Sequence, residues 1–110
     1  KKIVKMAKKT VSDIYLRGIT YSEESHTLSL VYFNSGESAS NLVNIRVAVY
    51  NEDNRLINLT DKIDLDINKN FAETYEFNKI DIPENGYIKI FAMKNSGVLV
   101  PAYDVLTYIP

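Results

Sequence analysis

From Asp13 onward, apolar residues recur at every second position and are broken at close intervals by turn formers, the pattern of short half-buried strands. The first strand runs through Ile14, Leu16, Ile19 and Tyr21, with Gly18 marking a bulge or kink. After a polar turn over Ser22–His26, Leu28, Leu30 and Tyr32 alternate with Ser29, Val31 and Phe33. Asn34-Ser35-Gly36-Glu37-Ser38 then reads as a loop. The cleanest alternation sets Val43, Ile45, Val47 and Val49 against Asn44, Arg46, Ala48 and Tyr50. Asn51–Asn54 is a hairpin loop returning into Arg55–Leu59.

Ile63, Leu65 and Ile67 predict a further strand with Asp64 and Asp66 outward, and Phe71, Glu73, Tyr75 and Phe77 predict another. Asp81–Gly86 contains Pro83 and must be a turn; Tyr87 to Met93 and Val98 to Tyr108, bent at Pro101, complete the set. No stretch after residue 12 has a helical period. The pattern predicts an all-β chain, an antiparallel β-sandwich of the immunoglobulin or fibronectin-III kind with about seven strands.

Length and composition narrow the picture. At 110 residues there is room for one domain with one core, and 45% hydrophobic and 25% charged residues are ordinary for a globular protein. No apolar run approaches the roughly 20 residues of a membrane-spanning helix. The chain lacks an initiating Met and a signal-peptide hydrophobic region, so it reads as a fragment or processed product. It also lacks cysteine, which excludes disulfides, thiolate metal sites and Cys nucleophiles.

The net charge of −1 hides an asymmetry. Lys1, Lys2, Lys5, Lys8 and Lys9 place +5 on the first nine residues, while residues 10–110 hold the other 8 basic residues against all 14 acidic ones, a balance of −6. The body should repel nucleic acid and anionic lipid. Residues 1–12 read as a basic linker or tail preceding a sandwich at 13–110; the sharper alternatives are a membrane-surface anchor and a strand donated to a neighbouring subunit.

The chemistry-bearing residues are sparse. His26 is the single histidine and sits in a polar turn beside Glu23 and Glu24, an exposed position without a glycine-flanked serine to activate. Asp64-x-Asp66-x-Asn68-x-Asn70 copies the first half of a calcium loop, which makes Asp64, Asp66 and Asn68 the candidate metal ligands. The second half fails, with Lys69 at the glycine position and Tyr75 where the bidentate Glu belongs, so a solvated strand face is the simpler reading.

Paired carboxylates for glycoside hydrolysis need a cleft that a chain this short has little room for. Eight tyrosines without a tryptophan suggest an aromatic face for sugar rings, with Tyr21, Tyr103 and Tyr108 expected to lie outward on the terminal strands. Ordinary strand tyrosines account for the same composition. No glycine-rich phosphate loop and no basic-aromatic interleaving for nucleic acid is present.

Two hairpins carry a resemblance. IRVAVYNEDNRLI (45–57) resembles the "ALYDxxGRLV" hairpin of small accessory sandwich modules in multidomain secreted or cell-surface proteins of Clostridium-like Gram-positive bacteria. IKIFAMKNSGVLVPA (88–102) resembles their "VKVFxWDSLxxMKPL" ending without a gap, and TLSLVYFN (27–34) their preceding strand. Met93 and Lys94 replace that pattern's Trp and Asp, so no role of the Trp carries over.

The resemblance implies an extracellular modular setting and a spacing, stabilising or glycan-contacting role. The expectation is therefore a non-catalytic module that partners neighbouring domains of its own polypeptide. The alternatives are a carbohydrate-binding module taking polysaccharide on a tyrosine face, and a surface-fibre subunit with N-terminal strand exchange. No cofactor is expected beyond a candidate calcium.

Overall fold

The computed structural model of the chain describes residues 2–5, 14–35, 40–96, 98–101 and 106–110. Nine strands and no helix lie among them. They are β1 (Lys2–Lys5), β2 (Ile14–Ser22), β3 (Thr27–Asn34), β4 (Ser40–Tyr50), β5 (Leu56–Asn68), β6 (Ala72–Phe77), β7 (Tyr87–Ser96), β8 (Val98–Pro101) and β9 (Leu106–Ile109). All pair antiparallel. One sheet is β2-β3-β6; the other runs β1-β9-β7-β4-β5, with β8 folded back on the end of β7. The chain is an all-β sandwich.

Two-residue alternation builds the interior. Leu28, Leu30 and Tyr32 of β3 pack in one cluster with Val43, Ile45, Val47 and Val49 of β4 and with Ile88 and Ile90 of β7. Each fully buried aliphatic or aromatic side chain contributes about 1.5–3 kcal/mol relative to exposure. In β2 the register skips between Leu16 and Gly18, so Arg17 is the extra residue of a bulge. That insertion keeps Ile14 and Leu16 on the same side as Ile19 and Tyr21.

β5 departs from expectation. The segments Arg55–Leu59 and Ile63–Ile67, separate strands by pattern, merge from Leu56 onward into one strand of 13 residues. A register shift lets Ile63 and Asp64 together oppose Asn44. Asp64 adopts a left-handed φ of 56° and its N–H is held by Asn44 Oδ1 at 2.9 Å. The extra residue reverses the alternation. Ile63, expected inward with Leu65 and Ile67, is 63% exposed, whereas Ile67 is fully buried. Lys62 turns inward instead, its ammonium 5.4 Å from the Phe77 ring centre.

The basic segment 1–12 does not lie wholly outside the sheet as its composition suggests. Lys2–Lys5 pairs with β9, Ile3 opposite Tyr108, and so extends the sheet ahead of the boundary expected at Asp13.

Candidate functional site

The tyrosines proposed for a ligand face are placed elsewhere. Tyr21 and Tyr108 are 4% and 3% exposed and belong to the core cluster, and Tyr103 lies outside the described residues. The reason is phase. Tyr21 belongs to the same alternating series as Ile14, Leu16 and Ile19, and Tyr108 stands opposite the buried Ile88. The Tyr21 hydroxyl donates to the Ile80 carbonyl at 2.6 Å and so pins the 78–86 loop beneath the sandwich. Burial pushes the Tyr21 phenol up; an Ile82 backbone hydrogen bond opposes this, while Asp81 and Glu23 add to it. Burial likewise raises Tyr108, reinforced by Glu23 and Tyr21.

The metal candidates do not converge. Asp64 and Asp66 are exposed on β5, Asp64 at the bulge and Asp66 opposite Leu42, and the strand spreads them along its length. The Asn68 carbonyl accepts the Phe71 N–H at 3.1 Å in the turn leading to β6. Among the described residues, no group of three or more His, Asp or Glu is placed to hold a metal ion. His26 is exposed in its turn, with Nδ1 3.8 Å from Asp81 Oδ1 and its carbonyl accepting the Ile80 N–H.

Aromatic side chains do gather on the outer surfaces, at positions that alternation alone does not bring together. On the larger sheet Tyr50 and Tyr87 are register partners whose rings stack with centroids 5.1 Å apart and planes within 8°. Lys89 sets its ammonium 5.3 Å from the Tyr50 ring centre. The Tyr87 hydroxyl donates to Asn54 Oδ1 at 2.8 Å, so the platform is tied to the 51–55 hairpin. That hairpin is itself closed by Asn51 Oδ1, which accepts the Asp53 and Arg55 N–H groups. On the smaller sheet the bulged Arg17 lies 4.0 Å over the Phe33 ring and donates to the Tyr15 hydroxyl at 3.2 Å.

No known protein-family model and no curated protein matches the chain.

Three further features complete the surface. Arg46 on β4 grips Asp61 on β5 through Nε and Nη2 at 2.8 and 3.0 Å. This bidentate bond holds the Asp61 carboxyl below its usual range and raises the Arg46 guanidinium. A cleft of ≈ 400 Å³ opens where Tyr21, Glu23, Pro83, Glu84, Gly86 and Ile109 meet, with the Glu23 and Glu84 side chains in its lining. Finally, large apolar side chains stand exposed along one margin. Leu56, Ile57, Leu59 and Ile63 are on β5 and Phe71 follows it, with exposures of 52, 49, 45, 63 and 60%. Among the described residues no helix is long and apolar enough to cross a membrane.

Proposed function

We propose that this domain is a non-catalytic accessory module of a larger secreted or cell-surface bacterial protein, where it spaces, stabilises or docks neighbouring domains. The observation that carries this reading is the exposed apolar margin of β5 and Phe71, a surface suited to contact with protein. A fibronectin-III-like arrangement is part of the same reading. It is supported by the division into β2-β3-β6 and β9-β7-β4-β5, the A-B-E and G-F-C-C′ grouping of such modules. The resembling hairpins add the extracellular setting.

Deleting the domain from its parent protein tests the role. The melting temperature of the flanking domains should fall by several degrees, or the particle should shorten in small-angle scattering. Unchanged neighbours and unchanged dimensions, or turnover of a substrate by the isolated chain, would remove the reading.

A second reading, a carbohydrate-binding module, is favoured by the Tyr50–Tyr87 stack with Lys89 and Asn54 beside it. It predicts glycan-array signal that disappears in Tyr87→Ala. An array blank for the unaltered chain excludes it.

A further inference from the structure

We propose that β5 is a dimerisation edge, pairing antiparallel with β5 of a second copy of this chain about a two-fold axis through Asp61. β5 ends the larger sheet, with β4 on one side and no strand among the described residues on the other. An edge strand offers a row of backbone donors and acceptors to any second strand. Here the Leu59 N–H is held by the carboxamide of the preceding Asn58 at 2.9 Å, a side chain standing where a neighbouring strand's carbonyl stands in mid-sheet. Strand alternation gives Asp61 and Ile63 the same lateral orientation as Leu59.

The devices that normally blunt an edge are not spread evenly. The bulge at Asp64 and the exposed carboxylates of Asp64 and Asp66 lie at its C-terminal half, and a second register shift falls at Ile57, near its start. In the N-terminal half, Lys62 is folded inward over Phe77 and Asp61 is neutralised by Arg46. Leu59 and Ile63 flank Asp61 on the outward side and are exposed. The outward pattern Leu59, Asp61, Ile63 reads the same from either end in chemical type: apolar, charge-paired, apolar. A two-fold through Asp61 therefore sets Leu59 of each copy opposite Ile63 of the other. The two Asp61 carboxylates meet at the axis, each charge-paired by the Arg46 guanidinium behind it, so the central row reads cation, anion, anion, cation. Two-folds through Ile57, Leu59, Thr60, Lys62 or Ile63 each face an apolar residue with a charge or with Asn58, and one through Asn58 sets Leu59 opposite Ile57, at the register shift between Leu56 and Asn58. This self-complementarity selects a second copy as the occupant.

The paired stretch is short, so the interface stays below about 1,200 Å² and the dimer is weak and concentration-dependent. Light scattering across a dilution series should show a mass rising toward twice the 12.5 kDa of one chain. Leu59→Glu with Ile63→Glu should hold the chain monomeric with an unchanged far-UV circular dichroism spectrum. The absence of cysteine from the natural chain permits a register test. Directly opposed residues in an antiparallel pair have Cα atoms about 4.5–5.5 Å apart, within disulfide reach. Leu59→Cys combined with Ile63→Cys should form an interchain disulfide dimer under mild oxidation, while either substitution alone should not. Within one chain these positions are about 13 Å apart along the strand, too far to bridge. A chain monomeric up to about 1 mM overturns the proposal. So does a dimer insensitive to the glutamate pair, or single-cysteine variants that cross-link as well as the double.

Discussion

Asn34 Nδ2 donates to the Ile67 carbonyl at 2.8 Å, joining the last residue of β3 in one sheet to β5 in the other. Asn34 is fully buried, and its backbone also reaches the turn after β5: its N–H donates to the Phe71 carbonyl at 3.1 Å and its C=O accepts the Asn70 N–H at 2.6 Å. Replacing the carboxamide strands a buried carbonyl, which costs about 1–3 kcal/mol. Asn34→Ala should lower the urea midpoint by that equivalent with an unchanged m-value. Asn34→Leu should be at least as damaging, because it fills the site without a donor.

Gly86 precedes β7 at a point where no side chain fits. A Cβ there would meet the Tyr50 carbonyl at 2.6 Å and Pro83 Cγ at 2.8 Å, while the Gly86 N–H donates to the Pro83 carbonyl at 2.8 Å. Backbone cannot yield as a flexible side chain does. Gly86→Ala should destabilise by about 1–3 kcal/mol in thermal or urea unfolding. It should also disturb the neighbouring Tyr50–Tyr87 stack, visible as a changed near-UV signal.

The Arg46–Asp61 pair sets an acid dependence. Asp61 titrates below its ordinary value in the folded chain, so its contribution is present above about pH 4 and is lost as pH falls through the folded value. Both side chains are partly exposed, at 43% and 39%, so solvent screening keeps the pair's contribution small. Arg46→Gln should therefore be slightly less stable than the natural chain at neutral pH and equal to it near pH 2. A difference that persists at pH 2 would mean that the arginine acts through packing.

Tyr75 sets an alkaline one. Burial, aided by the charges of Glu73 and Asp66, pushes its phenol up to about 12. The folded chain then holds the proton more tightly than the unfolded one. That stability is complete below about pH 10 and falls as pH rises toward 12. Tyr21 and Tyr108 shift in the same direction. Phenolate absorbance should show a late-titrating class, and Tyr75→Phe should flatten the alkaline loss of stability.

The sandwich was legible because β3 and β4 alternate cleanly and because proline, glycine and asparagine punctuate the chain. β5 was not. The bulge at Asp64 uses an aspartate in the left-handed region where glycine is the usual marker, so one long strand reads as two and Ile63 takes the wrong face. Asn34 reads as the first residue of a loop because polarity at a strand end says nothing about a partner 33 residues away. The surface was harder still. Tyr50 and Tyr87 become neighbours only once the β4–β7 register is known, and Tyr21 and Tyr108, expected outward, are buried in phase with Ile19 and opposite Ile88. Side-chain type names the candidates; cross-strand register decides which of them meet.

The pairing of β1 with β9 has a mechanical consequence. Lys2 opposes Ile109, Ile3 opposes Tyr108 and Lys5 opposes Thr107, so the two strands enter and leave the sheet side by side. Tension applied through Lys2 and Ile109 would open these contacts one after another, as a zipper opens, instead of loading them together in shear. β1 would peel away at low force and release slack, while β9 stayed fastened to β7 through Ile88, Lys89 and Ile90. A domain strung between others would in this way yield a few residues of extension before its core felt any load.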